Sequence, residues 1–248
     1  MNSILKNLSK LNLCIAFISL SAIIATSCKK SDDGSLIGKT SAIFNTTKTY
    51  STMTDQDGNV YKTITIGSQT WMAENLRTTK YNDGTPIPNV SDSIAWTSLL
   101  SGAYCNYKNT SDIDFIATYG RLYNWYTINT GKLAPQGWHV PSWDDYNTLI
   151  TYLGGSTIAG GKLKETGITH WANSNTGATN ESGFTTLPSG YRGSLGYVFV
   201  SQGRVACFWT SYSDGNGPYV LGLSYDYETA LPFTFFKYFG LSVRLIKN

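Results

Sequence analysis

Between residues 143 and 153 the apolar positions recur every three or four residues, which places Trp143, Tyr146, Leu149, Ile150 and Leu153 on one face and predicts an amphipathic helix. Its start signal is complete. Pro141 halts the preceding extended segment, Ser142 can cap the first turn, and Asp145 stands at the third helical position to return the bond. Gly154-Gly155 closes the helix, because glycine takes the left-handed conformation without a Cβ penalty.

Upstream, alternation replaces the helical period. Residues 60–66 read as a strand with Val60, Ile64 and Ile66 on one face, Gly67-Ser68 as a glycine-first hairpin turn, and residues 69–72 as the returning strand. Residues 75–89 carry Asn82-Asp83-Gly84 and two prolines, which mark a long loop. A short strand is predicted over 103–107 and a first helix over 120–126. Beyond the capped helix, the polar run 168–181 is a second long loop. Strands are expected at 197–201, 205–211 and 219–225, and a last one at 241–246 that pairs near the first hairpin.

The N-terminal stretch has a different character. Lys6 and Lys10 precede a mostly apolar run over 11–25, too short to span a bilayer comfortably, as in a secretory signal. Ala25-Thr26-Ser27-Cys28 resembles the processing box of bacterial lipoproteins, which implies lipidation at Cys28, with residues 1–27 as the leader and the membrane as a partner through the anchor. Lys29-Lys30-Ser31-Asp32-Asp33-Gly34 resembles the acidic export tag of Bacteroidetes-type surface lipoproteins, which implies an outer-membrane protein facing the cell exterior; as a charged segment it also suits a solvated tether. Residues 28–53 read as tether and 54–248 as one domain.

Composition narrows the function classes. The formal charge of +3 falls to about +1 once Lys6 and Lys10 leave with the leader, which offers no electrostatic footprint for nucleic acid. Charged residues make up only 14% of the chain, while 17 tyrosines and 24 glycines suit an extracytoplasmic, hydroxyl-rich, sheet-rich domain. Cys105 and Cys207 are candidates for one disulfide or for two buried thiols. Two histidines, His139 and His170, without paired cysteine spacing argue against zinc.

Several phrases together, Trp71-Met72-Ala73-Glu74-Asn75-Leu76, Tyr119-Gly120-Arg121-Leu122-Tyr123-Asn124-Trp125, Gly137-Trp138-His139-Val140-Pro141-Ser142, Ser182-Gly183-Phe184, Leu187-Pro188-Ser189-Gly190, Phe208-Trp209-Thr210-Ser211 and Ser242-Val243-Arg244, resemble the Fibrobacter succinogenes major paralogous domain over about residues 54–248. That family is similar in turn to C-type lectin-like and formylglycine-generating-enzyme-like folds. The resemblance therefore implies an α+β fold: a twisted antiparallel sheet, two short helices, long loops, and termini in adjacent strands. Leu245 stands where the family usually has a cysteine, so if that cysteine normally pairs with the one at Cys105, Cys207 would have to supply a replacement.

No reaction comes with the resemblance. The chain is read as a non-catalytic binding module for a polysaccharide or a surface protein, with an adhesive or structural envelope component as the alternative. Aromatic side chains in long loops suit sugar rings, and Trp171, Tyr212, Tyr225, Asp226 and Tyr227 are the candidate ligand-binding residues, with Trp96 and Trp209 weighed beside them and Trp209 assigned to the core. No cofactor is expected; Asp226 with Glu228, or Asp214 with Asn216, would be the carboxylate and amide groups for calcium. The chain lacks the late cysteine pair of the formylglycine generators and any nucleophile-elbow motif. His139, between Trp138 and Val140, reads as structural, and His170 as a lone loop histidine.

Overall fold

In the computed structural model, which describes residues 39–194 and 198–248, the N-terminal hairpin forms as its alternation predicts. β1 (Ser51–Thr54) pairs with β2 (Val60–Ile66), and β2 turns at Gly67, φ +61°, into β3 (Gln69–Met72). The chain continues through α1 (Ser93–Thr97), β4 (Tyr104–Cys105), α2 (Ile113–Tyr119), β5 (Leu122–Tyr123), α3 (Trp125–Asn129), β6 (Trp138–His139), α4 (Trp143–Tyr152) and α5 (Ala159–Leu163). β7 (Tyr191–Arg192), β8 (Phe199–Val200), β9 (Val205–Asp214), β10 (Gly217–Ser224), β11 (Leu231–Thr234) and β12 (Ile246–Lys247) complete it. The leader, Cys28, the first part of the tether and Tyr197 lie outside the described residues.

The result is a mixed helix-and-sheet domain around a curled antiparallel sheet. Five strands run in the order β1-β2-β3-β12-β6, so the C-terminal strand lies between the first hairpin and β6, with Ile246 opposite both Trp71 and His139. The segment before β12 carries the curl onward: Leu241 bridges Tyr123, and Ser242 bridges Phe208 of the second sheet, β11-β10-β9.

The capped helix forms as read. Ser142 Oγ accepts the Asp145 N–H at 3.2 Å, and the Asp145 carboxylate accepts the Ser142 N–H at 2.8 Å. At its end, the Gly155 N–H donates to the Ile150 carbonyl and the Gly154 N–H to Thr151, both glycines being left-handed. Tyr146, Leu149, Ile150 and Leu153 are buried against Trp71, Phe184 and Phe208, with the Tyr146 and Trp71 rings stacked at 5.0 Å; Trp143 is only partly covered.

Among the described residues, five short helices stand where the resemblance implies two, the last strand is confined to Ile246–Lys247, and two further expectations fail for identifiable reasons. The helix predicted over 120–126 is instead the end of α2, then β5, then the start of α3. Gly120 stops α2 at φ +74°, where a Cβ would fall 2.6 Å from that of Asn75, and the backbone of Leu122 and Tyr123 is taken up by Cys105 and Tyr104. Asn124 then caps α3 by accepting the Thr127 N–H. The tether expected up to residue 53 also yields. Tyr50 donates its hydroxyl to the Gly183 carbonyl at 2.9 Å, Asn45 donates to the Asn180 carbonyl, and Phe44 packs edge-on to Tyr50 against the α4 cluster.

Long loops oblige the fold to satisfy many backbone carbonyls without a strand partner. Lys164, Arg192 and Arg244, each no more than 1% exposed, are among the buried cations that do this. Lys164 Nζ donates to the carbonyls of Thr176, Ser224 and Tyr227 at 2.8–2.9 Å. Arg192 donates to those of Val90, Ser91 and Asp92 while lying 4.4 Å over the Trp96 ring. Arg244 donates to the Asn75 side chain and to the carbonyls of Phe184 and Thr185, stacked on the Phe184 ring.

The cysteines take the second of the two readings. Cys105 and Cys207 are free buried thiols, one packed with Trp96 and Leu122, the other with Trp209 and Val220. Leu245, where the resemblance expects a cysteine, packs in the same cluster as Cys207. Burial pushes the thiols up to about 11 and about 12. Iodoacetamide at pH 8 should therefore leave the peptides of Cys105 and Cys207 unmodified in folded protein and alkylate both after urea, without a reductant. Peptide mapping reads this directly; alkylation that required a reductant would restore the disulfide.

Candidate ligand-binding groove

The second sheet carries an apolar concavity bordered by solvent-exposed aromatic rings. β9 and β10 form a hairpin whose turn is fixed by Asp214, which accepts the Asn216 N–H at 2.7 Å and the Tyr219 hydroxyl at 3.1 Å. β11 pairs along β10 as the edge strand, Val220 opposite Phe233 and Gly222 opposite Leu231. Gly222 has a specific use here. A Cβ at that position would meet the Phe233 ring at 2.5 Å, so the missing side chain lets the ring lie across the sheet.

The groove so formed holds a cavity of about 330 Å³. Val205 and Cys207 contribute from β9, Phe233 and Phe235 from β11 and its continuation, and Tyr191 and Tyr227 from the flanking segments. Tyr191 is held edge-on to Phe235 at 5.4 Å, which fixes that wall. Hydroxyl groups stand among these rings: Ser201, Ser224 and Thr229 share the lining. Burial raises the Tyr191 phenol above its ordinary range, so it is a neutral hydrogen-bonding group at pH 7. Tyr227 is 61% exposed and Phe233 50%, although the Tyr227 carbonyl is anchored on Lys164. Rings with open faces beside uncharged hydroxyls can stack on apolar C–H surface and bond hydroxyls around it.

Of the ligand-binding candidates named from the sequence, the fold brings only Tyr227 into this groove. Trp171 is 1% exposed, its indole N–H donating to the Thr186 carbonyl at 2.9 Å and its ring covered by Lys164, so it is core rather than ligand-binding. Trp96 is buried likewise, and Trp209 is core as expected. Tyr225 is half-buried against the α4 cluster with Arg204 over its ring. Tyr212 is exposed but lies elsewhere, beside Trp143 and Tyr219 in a separate cavity. Asp226 is exposed and accepts the Ser224 hydroxyl. Among the described residues no group of three or more His, Cys, Asp or Glu side chains is placed to hold a metal ion.

Tyr191, Phe233 and Phe235 were missed. The signal was present in the alternation of Leu231, Phe233 and Phe235, three apolar side chains at every second position of an uncharged run. His139 is structural as read, bridging Asn248 Oδ1 at 2.7 Å and Asp145 at 3.3 Å beside the α4 cap. His170 is not alone: its two ring nitrogens lie within hydrogen-bonding distance of Glu165 and Ser41.

A family model described as the Fibrobacter succinogenes major domain matches residues 64–247. No match was found among curated proteins or among solved structures.

Proposed function

Since the chain belongs to the Fibrobacter succinogenes major domain family, we propose that it is an envelope lipoprotein that acts by binding, with a glycan seated in the groove over β9–β11. The observation that carries this reading is the pairing of exposed aromatic faces at Tyr227 and Phe233 with the hydroxyls of Ser201, Ser224 and Thr229 around one cavity. A C-type lectin-like fold belongs to the same proposal, supported by the return of β12 beside the first hairpin. Attachment through acyl groups on Cys28, with the domain facing the cell exterior, rests on the resemblance of residues 25–34 to lipoprotein signals.

A protein partner is the second reading, and one observation favours it. β11 is a sheet edge whose Leu231, Phe233 and the following Phe236 are all at least 40% exposed, a row on which another strand could pair. A glycan panel separates the two. Wild type is expected to retain at least one glycan, and Tyr227→Ala or Phe233→Ala to weaken it about ten-fold or more without change in circular dichroism. Variants that bind as wild type does would remove the groove from the account; silence across glycans, with a protein captured through β11, would favour the second reading.

A further inference from the structure

We propose that Ser41, His170 and Glu165 form a second site, distinct from the groove, that hydrolyses short-chain carboxylic esters. Ser41 Oγ lies 2.9 Å from His170 Nε2, and His170 Nδ1 lies 2.7 Å from Glu165 Oε2. Glu165 is fully buried and the His170 side chain 6% exposed, while Ser41 faces solvent. The nucleophile, base and orienting carboxylate thus stand in the order and geometry by which such triads are recognised on unrelated folds.

The hydrogen-bond directions are determined by the donors available. An ionised Glu165 only accepts, so His170 carries its proton on Nδ1 and Nε2 is left as an acceptor. Ser41 O–H must then donate to Nε2. Thr118 completes the chain: its hydroxyl accepts the Ser41 N–H at 3.0 Å and donates to Ser41 Oγ at 3.0 Å, which leaves the serine proton aimed at the imidazole. The Tyr119 ring, edge-on to His170 at 5.8 Å, and the second Glu165 oxygen, which accepts the Ile43 N–H, hold the base and the nucleophile's segment in register.

Beside the Ser41 and His170 side chains lies an open cavity of about 430 Å³, walled by Phe115 and Tyr119 and lined also by Lys39, Asp112 and Asp114. In the reaction, Ser41 Oγ bonds to the ester carbonyl carbon as its proton passes to Nε2, and Glu165 stabilises the imidazolium. The bond from that carbon to the alcohol oxygen then breaks, and the alcohol leaves with the Nε2 proton. Water, deprotonated by Nε2, adds to the acyl group on Ser41 and releases a carboxylic acid and free Ser41. An ester suits the site better than an amide. The N–H groups of Ser41, Ala42 and Ile43 already donate to Thr118, Thr40 and Glu165, which withdraws them from a developing oxyanion, and the more electrophilic carbonyl of an ester needs less stabilisation there than that of an amide.

The full chain is treated with a fluorophosphonate probe and, separately, with p-nitrophenyl acetate. The proposal expects a phosphonyl adduct on the peptide containing Ser41 and ester hydrolysis that is abolished in Ser41→Ala and falls about 100-fold or more in His170→Asn. Ser41 is exposed, so Ser41→Ala keeps the fold, and circular dichroism verifies this for each variant. Labelling of other residues only, or hydrolysis no faster than that of Ser41→Ala, would overturn the proposal and leave the three side chains as a clasp for the N-terminal segment.

Discussion

Arg244→Met is expected to lower the unfolding free energy by about 3–5 kcal/mol, the range for breaking a buried, charge-assisted network from one side. The guanidinium serves several acceptors that stay buried when it is removed. It donates to Asn75 Oδ1, to the Phe184 carbonyl and to the Thr185 carbonyl, the last at 2.8 Å. Thr185 is itself in the left-handed region at φ +55°, held from its other side by Asn180, so the loss falls on a backbone that is already constrained. Methionine fills much of the volume but offers no donor. Arg244→Lys recovers the charge without the planar fork that serves these acceptors at once and stacks on Phe184, so it should recover only part of the loss. Urea unfolding followed by tryptophan fluorescence measures both variants.

Lys164→Met is the second large effect, expected at roughly 3–5 kcal/mol for the same reason, because three carbonyls lose their common donor. It differs in two respects. One of the three carbonyls belongs to Tyr227, so the variant should also weaken ligand binding in the groove. The other difference is its pH dependence. Burial pulls the Lys164 ammonium down to about 8, against the opposing pull of Asp226 and Glu228. Its folded pKa lies below the ordinary 10.5, so between these two values the unfolded chain holds a proton that the folded chain has lost. Stability from this group therefore rises with pH across that window, and the difference between wild type and Lys164→Met should widen from pH 8 toward 10.5. Paired urea titrations at pH 7 and pH 10 check the sign.

What could be read in the sequence was what is encoded locally. The α4 cap, its apolar face and its double-glycine stop all fall within residues 141–155, and the β2–β3 hairpin is set by one alternation and one turn. The family phrases placed Arg244, Phe184 and Asn75 in the chain without revealing that they converge on one buried guanidinium. α2 was legible in principle, since Asp112 caps it by accepting the N–H groups of Asp114 and Phe115, but the more aromatic run after Gly120 drew the helix assignment instead.

Direction of side chains was the harder matter. Trp96 and Trp171 look in the sequence like aromatics available to a ligand, yet each gives its indole N–H to a backbone carbonyl and is buried, as the core Trp209 does. Groove residues Tyr191 and Phe235 meet across more than forty positions. Ser41 and His170 are 129 positions apart, so a reading limited to neighbours made His170 solitary. Residues 39–50 look like tether by composition because the partners that order them, among them Gly183 and Glu165, come late in the chain.

Hydrogen exchange of the protein with and without the tightest glycan of the panel tests the central claim most directly, because it locates the ligand without presupposing the residues. The account predicts added protection in β8, β9, β10 and β11, centred on residues 219–235. Protection confined to the cavity beside Trp143 and Tyr212, or to the surface around Ser41 and His170, would contradict it.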